Sequence, residues 1–168
     1  SGDGLFFNQL QANALLDKAL QVSQSVLKQK SIRVVRRFQP GQLMILGLAH
    51  NLVEALVNLI TNACHAMDKG GRLTLISKAQ LDKAHHERLL KEGHAPAGYA
   101  MLAVRDSGHG IAPEHMNKIF RRFFTTRDEG HGLGLAAVSR IVKKNLGHIH
   151  VESKPGRGAT FYIFLPKA

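Results

Sequence analysis

Tryptophan is absent from this 168-residue chain, tyrosine occurs twice and cysteine once. A single thiol, Cys64, cannot close an internal disulfide, and its place in an apolar helical stretch marks it as an ordinary buried thiol suited to a reducing compartment. Long apolar runs are missing as well: no segment approaches the roughly 20 unbroken residues of a membrane span. The opening Ser-Gly-Asp-Gly has neither a starting Met nor a charged-then-apolar leader pattern. The expectation is a soluble, cytoplasmic piece of something longer, forming one domain over residues 1–168. Acid is scarce, with 12 Asp and Glu against 23 Lys and Arg and a formal charge of +11. That excess favours an anionic partner, whether nucleic acid, acidic lipid or nucleotide phosphate. No helix-turn-helix, zinc-finger spacing or aromatic-basic interleaving is present, so nucleic acid is set aside. Histidine is plentiful at 10, yet His85, His86 and His94 lack ligand spacing with Cys or carboxylates, and a zinc site is set aside too.

What the chain does contain is periodicity. Leu10, Ala14, Leu16, Ala19, Leu20 and Val26 recur at near-helical intervals with no Gly or Pro between them, which predicts a first helix over about 5–29. A β-branched run at 31–38 stops at Pro40-Gly41 and reads as a strand, followed by a short strand near 43–46. Residues 51–67 form a strongly periodic second helix ended by Gly70-Gly71, and 72–79 reads as a strand. The stretch of about 80–98 interrupts the strands as a variable insertion, either a small helix or a long hairpin connection, and no chemistry is assigned to it. An apolar strand at 100–104 runs into Asp-Ser-Gly-His-Gly-Ile, a short helical turn follows Pro113, and a third long helix spans 133–146. Strands at 148–153 and 159–165, joined by Lys-Pro-Gly-Arg-Gly, form an antiparallel pair. The expected class is α+β: a two-layer α/β sandwich, its mixed and largely antiparallel sheet covered on one face by three main helices.

Three features carry chemistry. On the second helix, Glu54, Asn58, Asn62 and His65 share one narrow arc, while Leu52, Leu56, Leu59, Ala63 and Met67 lie opposite and must face the core. Such a polar stripe ordinarily faces water. Asn is a poor helix former, however, and a solvent face usually recruits Lys, Glu or Gln. The amide oxygens of two asparagines four apart suit Mg²⁺, which takes few protein ligands and completes its shell with phosphate and water; Asn62 is the preferred metal ligand. His65, one turn on, is placed to touch a phosphate or to sit as a plain surface histidine.

Asp106 leaves an apolar strand into a turn relaxed by Gly108 and Gly110 before Ile111, where a carboxylate can accept from an exocyclic amine such as adenine N6. By itself this is also an ordinary Asp-Gly turn. Gly130-His131-Gly132-Leu133-Gly134-Leu135 opens directly into the third helix, whose free N–H groups and dipole form an anion site. A polar loop rather than a strand precedes it, which disfavours a dinucleotide-binding Rossmann fold. Between the two turns, Phe120 to Glu129 pairs aromatic anchors with a polar loop, read as a mobile lid over about 120–131 in which Thr125, Thr126 and Arg127 approach the nucleotide.

The order of the pieces is the most specific signal: Asn58-Leu-Ile-Thr-Asn62-Ala, Asp106-Ser-Gly-His-Gly-Ile, Phe120 to Arg127, Gly132-Leu-Gly-Leu, and Gly156-Arg-Gly-Ala-Thr160-Phe. It resembles the N, G1, F, G2 and closing boxes of the histidine-kinase ATPase family, also called the Bergerat fold of gyrase, Hsp90, kinases and MutL, and is most similar to the nitrogen-regulator branch of sensor kinases. The resemblance implies ATP with Mg²⁺ as ligands, Asn62 on the metal, Asn58 beside metal and phosphates, Asp106 on the adenine amine, Thr160 supporting that contact, and Gly132 to Leu135 at the phosphates. Arg122 stands where that branch often has proline and Arg127 where lysine is common. Gyrase-like and Hsp90-like ATPases place a glutamate four residues before the metal-binding asparagine, where it can act on an attacking water. Here that position is Asn58, and Glu54 lies a further turn away, about 6 Å along the axis. An uncharged site that preserves the γ-phosphate suits a histidine-kinase phosphodonor. No His stands in the family's phosphoacceptor pattern, so the implied partners are a separate dimerisation and histidine-phosphotransfer helical domain and, downstream, a response regulator receiver. The implied setting is the cytoplasmic portion of an inner-membrane sensor. The competing readings are an ATPase or regulatory protein kinase of the same superfamily, and a basic interaction module without nucleotide binding.

Overall fold

The computed structural model describes residues 7–122, 124–125 and 134–168. In chain order the elements are β1 (Asn8–Gln11), α1 (Ala12–Val22), α2 (Gln24–Gln29), β2 (Arg33–Arg37), β3 (Met44–Gly47), α3 (Ala49–Ala66), β4 (Arg72–Lys78), α4 (Lys83–Lys91), β5 (Tyr99–Asp106), α5 (Gly134–Lys144), β6 (His148–Lys154) and β7 (Gly158–Pro166), with single 3₁₀ turns at Pro96–Gly98 and Pro113–His115. The main sheet has the order β2-β4-β5-β7-β6; β2 and β4 run parallel and the other neighbours antiparallel. A separate two-stranded sheet pairs β1 with β3.

Alternation along the strands divides their side chains between two faces. Leu73, Leu75, Leu102, Val104, Phe161 and Ile163 enter the main core with Leu16 of α1, Leu56 and Ile60 of α3, and Val138 of α5. Ile76, Met101, Ala103, Tyr162 and Phe164 point the other way and are met by Leu89 of α4. The sandwich expected from the sequence is present, and the insertion adds a helix on the opposite face of the sheet.

The first predicted helix is corrected. Residues 5 and 6 lie outside the described residues, Asn8–Gln11 is a strand against Met44–Gly47, and the helix that follows breaks at Ser23. At that break Ser23 N–H donates back to Ala19 and Leu20 carbonyls at 3.1 and 3.2 Å, a tightened final turn of the kind common at helix ends. No Gly or Pro marks the position. Asn8–Gln11 contributes Leu10 to the core through pairing across about 35 residues of chain, a partner that local spacing cannot reveal.

At the other end of the chain α5 stops at Lys144, and Leu146 takes a left-handed conformation (φ 58°) while Gly147 N–H reaches back to Val142 O at 2.9 Å. This is the 6→1 bond of a Schellman close, with leucine where glycine is usual. Gly147 itself is needed for close approach, since a Cβ there would meet Phe164 O at 2.5 Å.

Candidate functional site

The Asn-bearing helix is fixed at both ends. At its start Asn145, 1% exposed, accepts from Leu48 N–H at 2.8 Å through Oδ1 and donates through Nδ2 to Ile141 O at 2.9 Å, tying α5 to the entry of α3. At its end Lys30 Nζ donates to Cys64 O and Met67 O at 2.8 and 3.0 Å, and His109 N–H donates to Ala66 O at 3.0 Å. These donors satisfy carbonyls the last turn would otherwise leave open, and the lysine charge complements the negative helix end. With Leu52, Leu56, Leu59, Ala63 and Met67 all buried, the helix cannot roll, and Asn58, Thr61, Asn62 and His65 are presented together to one cavity.

Opposite them stands Asp106, 4% exposed, at the last position of β5. Its Oδ1 accepts from Gly108 N–H at 2.8 Å and from Ala159 N–H at 3.3 Å. Among the described residues Oδ2 accepts no hydrogen bond. Burial pushes this carboxyl above the usual carboxylate value, opposed by the two backbone donors and the nearby His109. An acceptor oxygen held in place by bonds to its twin, in a dry wall, is a directional receptor for an N–H donor.

The turn after Asp106 is positioned by absences of bulk. A Cβ on Gly108 would collide with the backbone carbonyl of Ala66, so this glycine lets the turn dock on the end of α3 and does not itself line the cavity. Gly110 (φ 76°) does line it and also clears Lys154 O. Ile111 N–H donates to Ser153 Oγ at 2.7 Å, Ser153 Oγ donates to Gly158 O at 3.2 Å, and Gly156 N–H donates to His109 O at 2.7 Å. Helix end, Asp106 turn and β6–β7 hairpin therefore form one cross-tied unit.

The cavity they enclose measures about 410 Å³, within the range of small-ligand sites. Of the residues expected at the site, it brings together Asn58, Asn62, His65, Asp106, Gly110, Ile111, Thr125, Gly134 and Leu135. Gly134 and Leu135 open α5, so a helix N-terminus faces the same space. Thr126, Arg127, Gly130, His131, Gly132 and Leu133 lie outside the described residues, as does much of the expected lid. Phe120 does not line the cavity; it packs edge-to-face on Phe161 at 6.2 Å, while Ile119 and Phe124 form the wall.

Thr160 is placed elsewhere than the resemblance implied. Strand alternation turns its side chain to the outer face, where its Oγ1 accepts from Arg105 Nε at 3.3 Å, and Ala159 takes the place on the cavity wall. Sequence reasoning also passed over Thr61, His109 and His115. Thr61 was reachable, because it falls within the same helical arc as Asn58 and Asn62. His115, edge-to-face with Phe124 at 5.3 Å, had no sequence signal.

Among the described residues no group of three or more His, Cys, Asp or Glu is arranged to hold a metal ion. Asn58 and Asn62 put amide groups on the cavity wall, oxygen donors of the kind a hard cation accepts alongside its ligand's own oxygens. No helix among the described residues is long and apolar enough to cross a membrane.

Comparison with known proteins gives a consistent result. The family described as histidine kinase-, DNA gyrase B-, and HSP90-like ATPase matches residues 47–168. The chain is 41% identical over 120 residues to the sensor kinase CckA of Brucella abortus, covering 68% of this chain and 12% of that protein. It is 31% identical over 162 residues to the sensor histidine kinase ZraS of Klebsiella oxytoca, covering 96% of this chain and 32% of that one. It thus spans a third or less of the length of these curated relatives. Among solved structures the mycobacterial sensor histidine kinase MprB superposes with a TM-score of 0.76 at 26% identity, covering 96% of this chain and 97% of that one.

Proposed function

The chain belongs to the histidine kinase-, DNA gyrase B- and HSP90-like ATPase family, and from that premise we propose that it is the ATP-binding catalytic domain of a cytoplasmic two-component sensor histidine kinase, acting as one unit. The observation that carries this reading is the convergence of α3, the Asp106 turn and the start of α5 on one cavity.

Each wall suits one part of the nucleotide. Asp106 Oδ2 accepts from the adenine amine, with Ile111, Ile119 and Ala159 as apolar surroundings for the ring. Asn58 and Asn62 supply neutral, hard amide oxygens, the donor chemistry Mg²⁺ accepts alongside phosphate and water. When bound, that ion neutralises phosphate charge. Gly134 and Leu135, with the preceding glycines, receive the phosphates, and His65 faces them from α3.

Asp106 is the one carboxylate on the cavity wall among the described residues, and it belongs to the purine end. Glu54 is exposed and stands apart from the cavity. Among the described residues no carboxylate is therefore poised to activate water at the γ-phosphate, which favours donation over hydrolysis. In the transfer, the bond from the γ-phosphorus to the ADP oxygen breaks as a bond to an imidazole nitrogen forms. That imidazole and the base accepting its proton belong to a helical dimerisation domain, and an aspartate of a response regulator is the later acceptor.

The test is phosphotransfer in trans. With γ-labelled ATP and a helical hairpin bearing the acceptor histidine, label is expected on the hairpin in acid-labile, base-stable form. Steady phosphate release that ignores the hairpin would instead assign the chain to the ATPases of the family.

A further inference from the structure

Four of the ten histidines in the chain meet at one place, the contact between the insertion and the outer face of the sheet. His94 of the insertion packs against His148 of β6 with ring centroids 3.7 Å apart and planes tilted by 36°, and His85 of α4 meets His150 of β6 edge-on at 5.9 Å. His85 is 4% exposed and leans over Tyr162 at 4.3 Å and Phe164 at 5.4 Å. Its Nδ1 lies 2.8 Å from Arg88 Nη1. A guanidinium has only donors, so Nδ1 must accept, and the bond exists only while His85 is neutral. Protonation would break it and set an imidazolium against the guanidinium.

We propose that the insertion over residues 80–98 is a pH-released cover: neutral histidines hold it on the sheet, and acidification lifts it to uncover the apolar surface formed by Met101, Tyr162 and Phe164. His85 sees Arg88 and His150, opposed by Asp82 and Glu152; His148 sees His94, opposed by Glu92, and its Nε2 lies 3.2 Å from Tyr99 Oη; His150 sees Arg88, opposed by Glu92 and by Glu152 at 3.3 Å. Tyr162 Oη donates to Glu152 at 3.2 Å, which divides that carboxylate's attraction between the phenol and His150. Burial and the like charges prevail, and His85, His148 and His150 are all held below the ordinary value of 6.5. Groups that bind protons more weakly when docked give docking free energy that is complete above that value and drains away as pH falls below it.

Hydrogen exchange of the chain at about pH 7.5 and about pH 5.5, corrected for intrinsic rates, tests this. Protection across Lys83–Lys91 is expected to fall about tenfold or more at the lower pH while α3 keeps its protection. His85→Phe, which keeps a ring but cannot titrate, is expected to move the release to lower pH. Simultaneous loss in α3 and α4, or an unchanged response in His85→Phe, overturns the proposal. Should that variant fail to fold, the midpoint of α4 opening in the natural chain must coincide with the histidine titrations seen by NMR; a separation of the two also overturns it.

Discussion

Asp106 concentrates the function of the site in one atom. Replacing it by Asn keeps an Oδ1 able to accept from Gly108 and Ala159 but puts an amide donor where the purine amine must donate. Loss of a charge-assisted bond of about 1.5–3 kcal/mol corresponds to roughly 10- to 100-fold weaker nucleotide binding, measurable by calorimetry. Stability should respond in the opposite sense. Because the folded carboxyl binds its proton more tightly than the ordinary value of 3.8, the native state gains from acid between the two values and carries a fixed cost above both. Asp106→Asn is therefore expected to melt no lower than the natural chain at neutral pH. Asn62→Leu should leave the melting point near its original value while nucleotide affinity ceases to depend on added Mg²⁺. Leu146, 61% exposed at φ 58°, loses little packing when shortened. Leu146→Gly should raise stability by about 0.5–1 kcal/mol in urea unfolding, by removing the left-handed penalty less the entropy glycine brings.

Among the elements, α3 was the most legible, since a single helix carries both the core stripe and the cavity stripe at 3.6-residue spacing. What held its ends was not. Asn145 lies 97 positions from Leu48, and nothing local to either residue announces the bond between them. Truncating this buried amide leaves Leu48 N–H unpaired, so Asn145→Ala should cost about 2 kcal/mol, read as a lower urea midpoint with an unchanged slope. The placement of Thr160 was recoverable in principle, because residues two apart on β7 share a face and Phe161 plainly belongs to the core. The strand at Asn8–Gln11 was not recoverable, as its polar NQLQ run continues smoothly into the helical spacing that follows. Nor could the sequence say where α4 docks, because its buried Leu89 and His85 have meaning only against side chains of β7 and β6.

For the molecule as a whole, the fold class and the ordered motifs were readable because composition, periodicity and motif order all agree. The convergence of distant motifs on one cavity required the fold itself. Sheet order places β5 beside β7, so Asp106 and Ala159 share a hydrogen bond across 53 positions. Helix packing sets α3 next to α5, so the asparagines face a helix N-terminus. The excess of basic residues, +11 in all, is consistent with attraction of a polyphosphate from solution and should make association faster at low salt. In this arrangement a single nucleotide is held by all three walls. Titration calorimetry of the chain with ADP in the presence and absence of Mg²⁺ tests it most directly. A single Mg²⁺-enhanced site is expected, weakened by Asp106→Asn and by Asn62→Leu. Absence of binding heat, or equal affinity in the natural chain and both variants, would contradict it.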